Sequence, residues 1–293
     1  MKKNTVFIIA VFCIISKGFG KNNIAAIDIS NQRETFVLWD KSGKPLHNAV
    51  VWQCKRSVQI CEDLKKKGLS HTVTKKTGLV IDPYFSATKL IWLFQNSDTI
   101  RAAIQSGEAF FGTVDTWLLY KFTNGKVYAT DYTNASRTLL FNLYTLQWDA
   151  ELIDAFGLTG LNFPEIKPSS SLFGQTNLDG MLSNSIPVSA LIGDSHAAAF
   201  GEGCFDAGTA KATLGTGCSI LMNIGSKPIS SGHGMVTTVC WSVDGRIDYA
   251  LEGVIVSCGA TIEWLKNELQ LFGDSKQTEA MATAVQDNGG VCL

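Results

Sequence analysis

Between Pro187 and Met222 the chain reads PVSALIGDSHAAAFGEGCFDAGTAKATLGTGCSILM, and no other stretch restricts the possible folds so tightly. The apolar run from Val188 to Ile192 predicts a buried strand that ends close to a carboxylate, Asp194. The small residues from His196 to Gly201 then let a helix pack close against that strand. Farther on, Leu214-Gly215-Thr216-Gly217-Cys218 sets glycines around a hydroxyl between two strand-like runs. Glycine allows a tight turn whose N–H groups approach an anion with no Cβ in the way. Asp194 reads as a cap for the following helix, as a base, or as both, because α/β sites form at the ends of strands. Joined to the Gly215–Gly217 turn, it predicts a base beside a phosphate cradle.

Around this stretch strands alternate with helices, which predicts an α/β fold. Upstream, Ile24–Ile29, Phe36–Trp39 and Asn48–Trp52 read as strands, with a hairpin turn at Asp40–Pro45. Ser57–Lys67 reads as a helix with Val58, Cys61 and Leu64 on one face. Thr88–Phe94 starts another helix, which continues with a break to Ser106. Thr113 or Asp115 is placed to cap a helix over Trp117–Phe122, and Asp131–Thr138 (DYTNASRT) reads as a polar loop. Trp148–Phe156 reads as a helix and Leu172–Thr176 as a strand. Downstream, strands near Met235–Trp241 and Ile247–Leu251 precede a helix, Gly259–Gln270, that carries Ile262, Leu265 and Leu269 inward. Gly289–Leu293 reads as a turn followed by the first residues of a further strand.

Composition removes several classes of function. At 293 residues, 45% hydrophobic and 17% charged, the chain has the length for a real core and the make-up of a globular protein. A net charge of −1 gives no electrostatic ground for nucleic acid or an anionic membrane as partner. The eight cysteines form no CxxC pair, which argues against a metal site and for a reducing, cytoplasmic compartment. Residues 1–20 allow two readings. Lys2 and Lys3 before the apolar run Thr5–Ile15 outline a signal peptide, which makes the chain secreted; the same run also fits a core helix packed on Ile24–Ile29. The cysteine pattern favours the helix.

Asn31-Gln32-Arg33-Glu34-Thr35 packs an amide, a guanidinium and a carboxylate into one connection. Arg33 and Glu34 offer donors and an acceptor to a polyhydroxyl ligand, or else brace a turn as a local salt bridge. Trp52 and Tyr84, the latter in Asp82-Pro83-Tyr84-Phe85, read as core aromatics or as a ligand platform. These segments, with TGLVIDPYFSATKLIWLFQN (77–96), FGTVDTWLLYKFTNGKVYATDYTNASRTLLFN (111–142), LGTGCSILMNIG (214–225) and YALEG (249–253), resemble the FGGY family of carbohydrate kinases, in particular its glycerol kinases. The resemblance runs from Ile24 to Leu293.

The resemblance implies an actin-like, ribonuclease H-like α/β ATPase fold of two domains, both incomplete here. A divergent segment, 1–21, would precede a polyol-binding domain over 22–201 and the start of a nucleotide-binding domain over 202–293. It implies an ATP- and Mg²⁺-dependent kinase that phosphorylates glycerol, or a related polyol, at a terminal hydroxyl, and a homo-oligomer once the fold is complete. By resemblance, Arg33, Glu34, Trp52 and Tyr84 hold the polyol, and Asp194 is the general base and lies near the metal. Gly215, Thr216 and Gly217 contact nucleotide phosphates, and Gly259 touches the nucleotide.

Four departures qualify the expectation. The family's Asp-Gln-Gly-Thr-Thr-Ser phosphate loop is not in this sequence, and Met1–Asn23 stands where the family has the helix before the Arg-Glu motif. The family also continues past the position that matches Leu293. Ser195 replaces a glutamine and Ser219 a phenylalanine at the polyol, which gives room for a longer substrate, while Glu263 replaces a nucleotide-binding glutamine. Leu182-Ser183-Asn184-Ser185 lacks the cation of the loop that binds a sugar bisphosphate in bacterial members. Slow or absent turnover is therefore expected of this chain alone, and a non-catalytic polyol-binding relic, or another FGGY sugar kinase, is the alternative.

Overall fold

The protein is described here by a computed structural model covering residues 10–13, 24–255 and 257–290. It divides into two units, Met1–Lys211 with Leu221–Glu252, and Ala212–Ile220 with Gly253–Leu293.

The first unit is built on a four-stranded sheet ordered Ala10–Cys13, Ile27–Asn31, Ile186–Gly193, Ser170–Thr176. The central pair is parallel and the outer strands run antiparallel to it. The predicted strand near Val188–Ile192 is the sheet's longest member, and its burial largely alternates, one face in the core and the other only partly covered. Val188 and Leu191 pack with Ile27, Leu119, Phe173 and Ile186 in one core cluster. Most of residues 1–20 lie outside the described residues, but Ala10–Cys13 is a strand and not part of the predicted helix. Val11 and Phe12 are residue types that favour strands, and the edge of Ile27–Asn31 offers them a partner.

A second layer packs helices on the antiparallel pair Phe36–Asp40 and Ala109–Thr113. Trp39 is fully buried there, its ring 5.0 Å from Trp117 and 5.6 Å from Tyr128. The break predicted between Phe94 and Ile100 separates two helices, Ser86–Asn96 and Asp98–Gln105, and Ser97 caps the second.

Three local expectations fail for identifiable reasons. Asn48–Trp52 makes only one bridge, Val50 to Phe36, because the Trp52 N–H turns away to Thr35 Oγ1 at 3.2 Å. In the helix Val58–Lys66 the inward face is Ile60, Cys61 and Leu64, and Val58, about a hundred degrees around the helix from that stripe, is exposed. DYTNASRT is not a surface loop: it holds a short helix, Tyr132–Ala135, with Thr133, Asn134, Ser136 and Arg137 all buried. Asp131 caps that helix through the N–H groups of Thr133 and Asn134, each at 3.0 Å.

Asp115 supplies a pH-dependent element of stability. It is fully buried and accepts from Thr113 Oγ1 at 2.5 Å and Thr130 Oγ1 at 2.6 Å. Burial, with the neighbouring Asp131, pushes its carboxyl up to about 7. The folded chain thus keeps a proton that the unfolded chain loses near the ordinary aspartate range, so this contribution is full at low pH and is lost as pH rises toward 7. Asp115→Asn removes the titration and keeps a donor and an acceptor at that position. Urea unfolding is expected to show the variant gaining on the native chain by about 1.4 kcal/mol per pH unit between pH 5 and 7. Parallel stability curves for the two proteins would rule the buried titration out.

The second unit carries the helices Gly259–Asn267 and Gln277–Thr283. Its first helix matches the predicted start but ends before Gln270, and none of its side chains is buried. Ile262 and Leu265 are half-buried and Leu269 is exposed: the apolar spacing is present, but among the described residues no layer covers it. No helix among the described residues is long and apolar enough to cross a membrane. Cys54, Cys61, Cys204, Cys218, Cys240 and Cys258 are free thiols.

Candidate active site

Sheet register decides which residues meet. The parallel neighbours pair Asn31 with Gly193, so both strands release the chain at the same edge. One exit carries Gln32-Arg33-Glu34 and the other carries Asp194. Asp194 is the first residue of the helix Asp194–Gly201, with Gly193 in the cap position, so Asp194 does not itself cap the helix. Its carboxylate is about half exposed, accepts the Ser195 N–H at 2.7 Å and lies 3.5 Å from Arg33 Nε.

Gly193 makes this approach possible. A Cβ there would stand 2.7 Å from Cγ and Cδ of Arg33, closer than real Cβ contacts come, and a tight 3.0 Å from His196 Nδ1. The missing side chain is the space through which the arginine stem crosses the strand end.

Around Glu34 the backbone folds sharply. Glu34 has φ 62°, and the Thr35 N–H returns to the Arg33 carbonyl at 2.6 Å. A non-glycine residue held in this region is strained, and such strain concentrates at functional sites. Ser86 Oγ secures the turn by donating to the Glu34 carbonyl at 2.8 Å.

The buried charges form one chain. Glu34 Oε1 is 2.6 Å from Arg137 Nε; Arg137 Nη1 is 2.6 Å from Glu252 Oε2; Glu252 Oε1 is 2.8 Å from Arg33 Nη2. Asp194 ends the series at the exposed side. Burial opposes ionisation of Glu252, but Arg137 and Arg33 together outweigh it and hold its carboxyl well below the usual carboxylate range. Arg33 Nη1 is buried with no hydrogen-bond partner, a donor that a ligand oxygen would satisfy. His196, fully buried behind Asp194, is kept neutral by burial and by the neighbouring Arg33.

The aromatic pair comes together as well. Trp52 and Tyr84 are half-buried, with ring centroids 5.6 Å apart, and Arg137 lies 5.9 Å over the Tyr84 ring. Lys89 fixes the Asp82–Phe85 loop: its ammonium is buried and donates to the carbonyls of Pro83, Tyr84 and Phe85 at 2.7 to 3.0 Å. Desolvation lowers that ammonium to about 8. Arg33, Glu34, Trp52, Tyr84, Asp194 and the half-buried Ser195 all belong to this unit. An open cleft of about 620 Å³ lined by Ile60, Leu64, Phe94 and Phe156 includes none of them.

In the second unit, the Gly215–Gly217 turn lies between the strands Ala210–Leu214 and Cys218–Gly225, as expected from the sequence. Its carbonyls receive the start of the helix Gly259–Asn267: Gly259 N–H meets Gly215 at 2.8 Å, and the N–H groups of Cys258 and Ala260 meet Thr216 at 2.8 and 3.1 Å. A Cβ on Gly259 would sit 2.7 Å from the Gly215 carbonyl oxygen, so this contact admits only glycine. The predicted nucleotide residues Gly215, Thr216 and Gly259 are therefore one local structure. Ser219 is half-buried on the strand that follows, and Glu263 is exposed, within 3.4 Å of Asn267 and Ser275.

Sequence reasoning missed Arg137, Glu252 and His196. Glu252 had a signal: a lone carboxylate in the apolar run Tyr249–Val254 needs a buried cation. Arg137 had none, since its segment read as a polar loop.

Two family patterns match the chain. The FGGY family of carbohydrate kinases, N-terminal domain, matches residues 7–201, and its C-terminal domain matches residues 210–292. Glycerol kinase 1 of Clostridium tetani is 47% identical over 290 residues, 99% of this chain and 58% of that protein. The glycerol kinase of Carboxydothermus hydrogenoformans is 50% identical over 271 residues, 92% of this chain and 54% of that protein. The chain spans about half the length of the curated relatives it matches. Among solved structures, Plasmodium falciparum glycerol kinase with ADP superposes with a TM-score of 0.83 at 38% identity, covering 90% of this chain and 53% of that one. Gluconate kinase from Lactobacillus acidophilus, at 20% identity, superposes with a TM-score of 0.77 over 89% of this chain and 52% of that one, a likeness of fold alone. The fold is thus the predicted two-domain, actin-like α/β architecture.

Proposed function

The chain belongs to the FGGY family of carbohydrate kinases, and from that membership we propose that it carries the polyol site and the opening of the nucleotide site of an ATP-dependent glycerol kinase. The observation that carries this reading is Arg33, buried at the strand edge with Nη1 unpartnered, beside Glu34 and 3.5 Å from Asp194. A glycerol hydroxyl both gives and takes a hydrogen bond, so a guanidinium N–H and a carboxylate side by side suit it. Trp52 and Tyr84 would cover its carbon chain. Asp194, the exposed carboxylate of the set, would take the proton of the attacking hydroxyl.

Residues 22–201 would form the polyol-binding domain and 202–293 the start of the nucleotide-binding domain. The Gly215–Gly217 turn and Gly259 would lie against ATP, and Glu263 would face solvent beside it. Among the described residues no three His, Cys, Asp or Glu side chains gather as a metal site. That suits Mg²⁺, which is commonly held by one or two carboxylates, waters and nucleotide phosphates, with Asp194 as the protein carboxylate. When bound, it would neutralise charge on the transferring phosphoryl group.

Ser195 and Ser219 are shorter than the residues the family's pattern places there, which supports acceptance of a polyol longer than glycerol. Isothermal titration of the purified chain with glycerol and with four- and five-carbon polyols tests the reading. Binding of glycerol, with at least one longer polyol within tenfold of it, is the expected result. No heat with any polyol would overturn the assignment.

A further inference from the structure

We propose that Glu252 is the positioning residue of the polyol site, holding Arg33 directly and Glu34 through Arg137. This rests on the polyol reading above and deepens it. Glu252 lies on the strand Arg246–Ile255, opposite Val236 in an antiparallel hairpin, and its side chain is fully buried. One carboxylate oxygen accepts a hydrogen bond from Arg33 Nη2 at 2.8 Å, and the other forms an ion pair with Arg137 Nη1 at 2.6 Å.

A guanidinium is planar, so fixing Nη2 on Glu252, with Nε 3.5 Å from Asp194, fixes the direction of Nη1. Nη1 is a buried donor without a hydrogen-bond partner, as is Nε, but Nε already faces Asp194. Arg137 repeats the device on the acceptor side: with Nη1 on Glu252, its Nε holds Glu34 Oε1 at 2.6 Å. One carboxylate therefore aims both the donor and the acceptor offered to the ligand. The segment that bears Arg137 is tied to the same hairpin, since Ser136 Oγ and Thr238 Oγ1 are 2.8 Å apart.

A salt bridge that only supports the fold would weaken all ligands alike when broken. A positioning role predicts loss of discrimination between hydroxyl patterns. The test is calorimetry of the native chain, Glu252→Gln and Arg137→Lys with glycerol and with propane-1,2-diol, which lacks one hydroxyl. In Glu252→Gln, glycerol affinity is expected to fall about tenfold to a hundredfold, and the preference for glycerol to fall toward one. Arg137→Lys keeps a buried cation but reaches only one carboxylate, and carries the same expectation if Glu252→Gln does not fold. Folded variants that keep the native ratio would overturn the positioning role while leaving the polyol reading intact. A native chain that binds neither compound would overturn both.

Discussion

If the proposed kinase reading holds, replacing Asp194 by asparagine is expected to slow whatever phosphoryl transfer to glycerol the chain supports by about 10²–10⁴-fold, the range for loss of a positioned general base. Glycerol affinity should change little, because Arg33 and Glu34 keep their buried partners. The substitution is isosteric, and an amide oxygen can accept the Ser195 N–H that the Asp194 carboxylate accepts at 2.7 Å in the native chain, so the helix start should be preserved. Two measurements decide it: turnover with MgATP in a coupled assay, and glycerol binding by calorimetry. With native turnover measurable above background, variant turnover within threefold of it would remove Asp194 from the chemistry. A parallel loss of binding and turnover would make it a substrate ligand and no more.

Replacing Arg33 by methionine should abolish usable polyol affinity, with a loss on the order of a hundredfold or more. Methionine fills the space of the arginine stem over Gly193 but removes the donor fork. It also strips Glu252 of one of its two arginine ion pairs, and breaking a buried pair from one side costs about 3–5 kcal/mol. Urea unfolding should register that cost, and calorimetry the lost affinity. Arg33→Lys should fall between the two, because an ammonium replaces the charge but cannot serve Glu252, Asp194 and a ligand from one plane. If Arg33→Met binds glycerol as the native chain does, the site lies elsewhere.

Much of this was legible in the order of residues. The strand before Asp194, the short helix after it and the Gly215–Gly217 turn between strands follow from apolar periodicity and glycine placement, which act over a few residues. Gln32-Arg33-Glu34 was visible as a polar cluster, read either as a ligand pair or as a local salt bridge. Arg33 and Glu34 are braced by ion pairs, but with Glu252 and Arg137 and not with each other. Elsewhere local pattern misled: DYTNASRT has the composition of a surface turn, yet Asn134 pairs its amide with Asn31 at 2.9 Å and Thr133 Oγ1 receives the Gly193 N–H at 2.8 Å. A polar segment becomes interior when its partners are polar too, and those partners are remote in the chain.

The sequence by itself determined the α/β class, the strand-end carboxylate and the glycines, because each is a short-range consequence of side-chain period and backbone freedom. Only the tertiary structure decided which residues meet at the candidate site. Bonding Arg33 to Glu252 and Arg137 to Glu34 joins residues 219 and 103 positions apart. Such pairs depend on which strands are neighbours and in what register, and desolvation then forces every buried charge brought there to find its opposite.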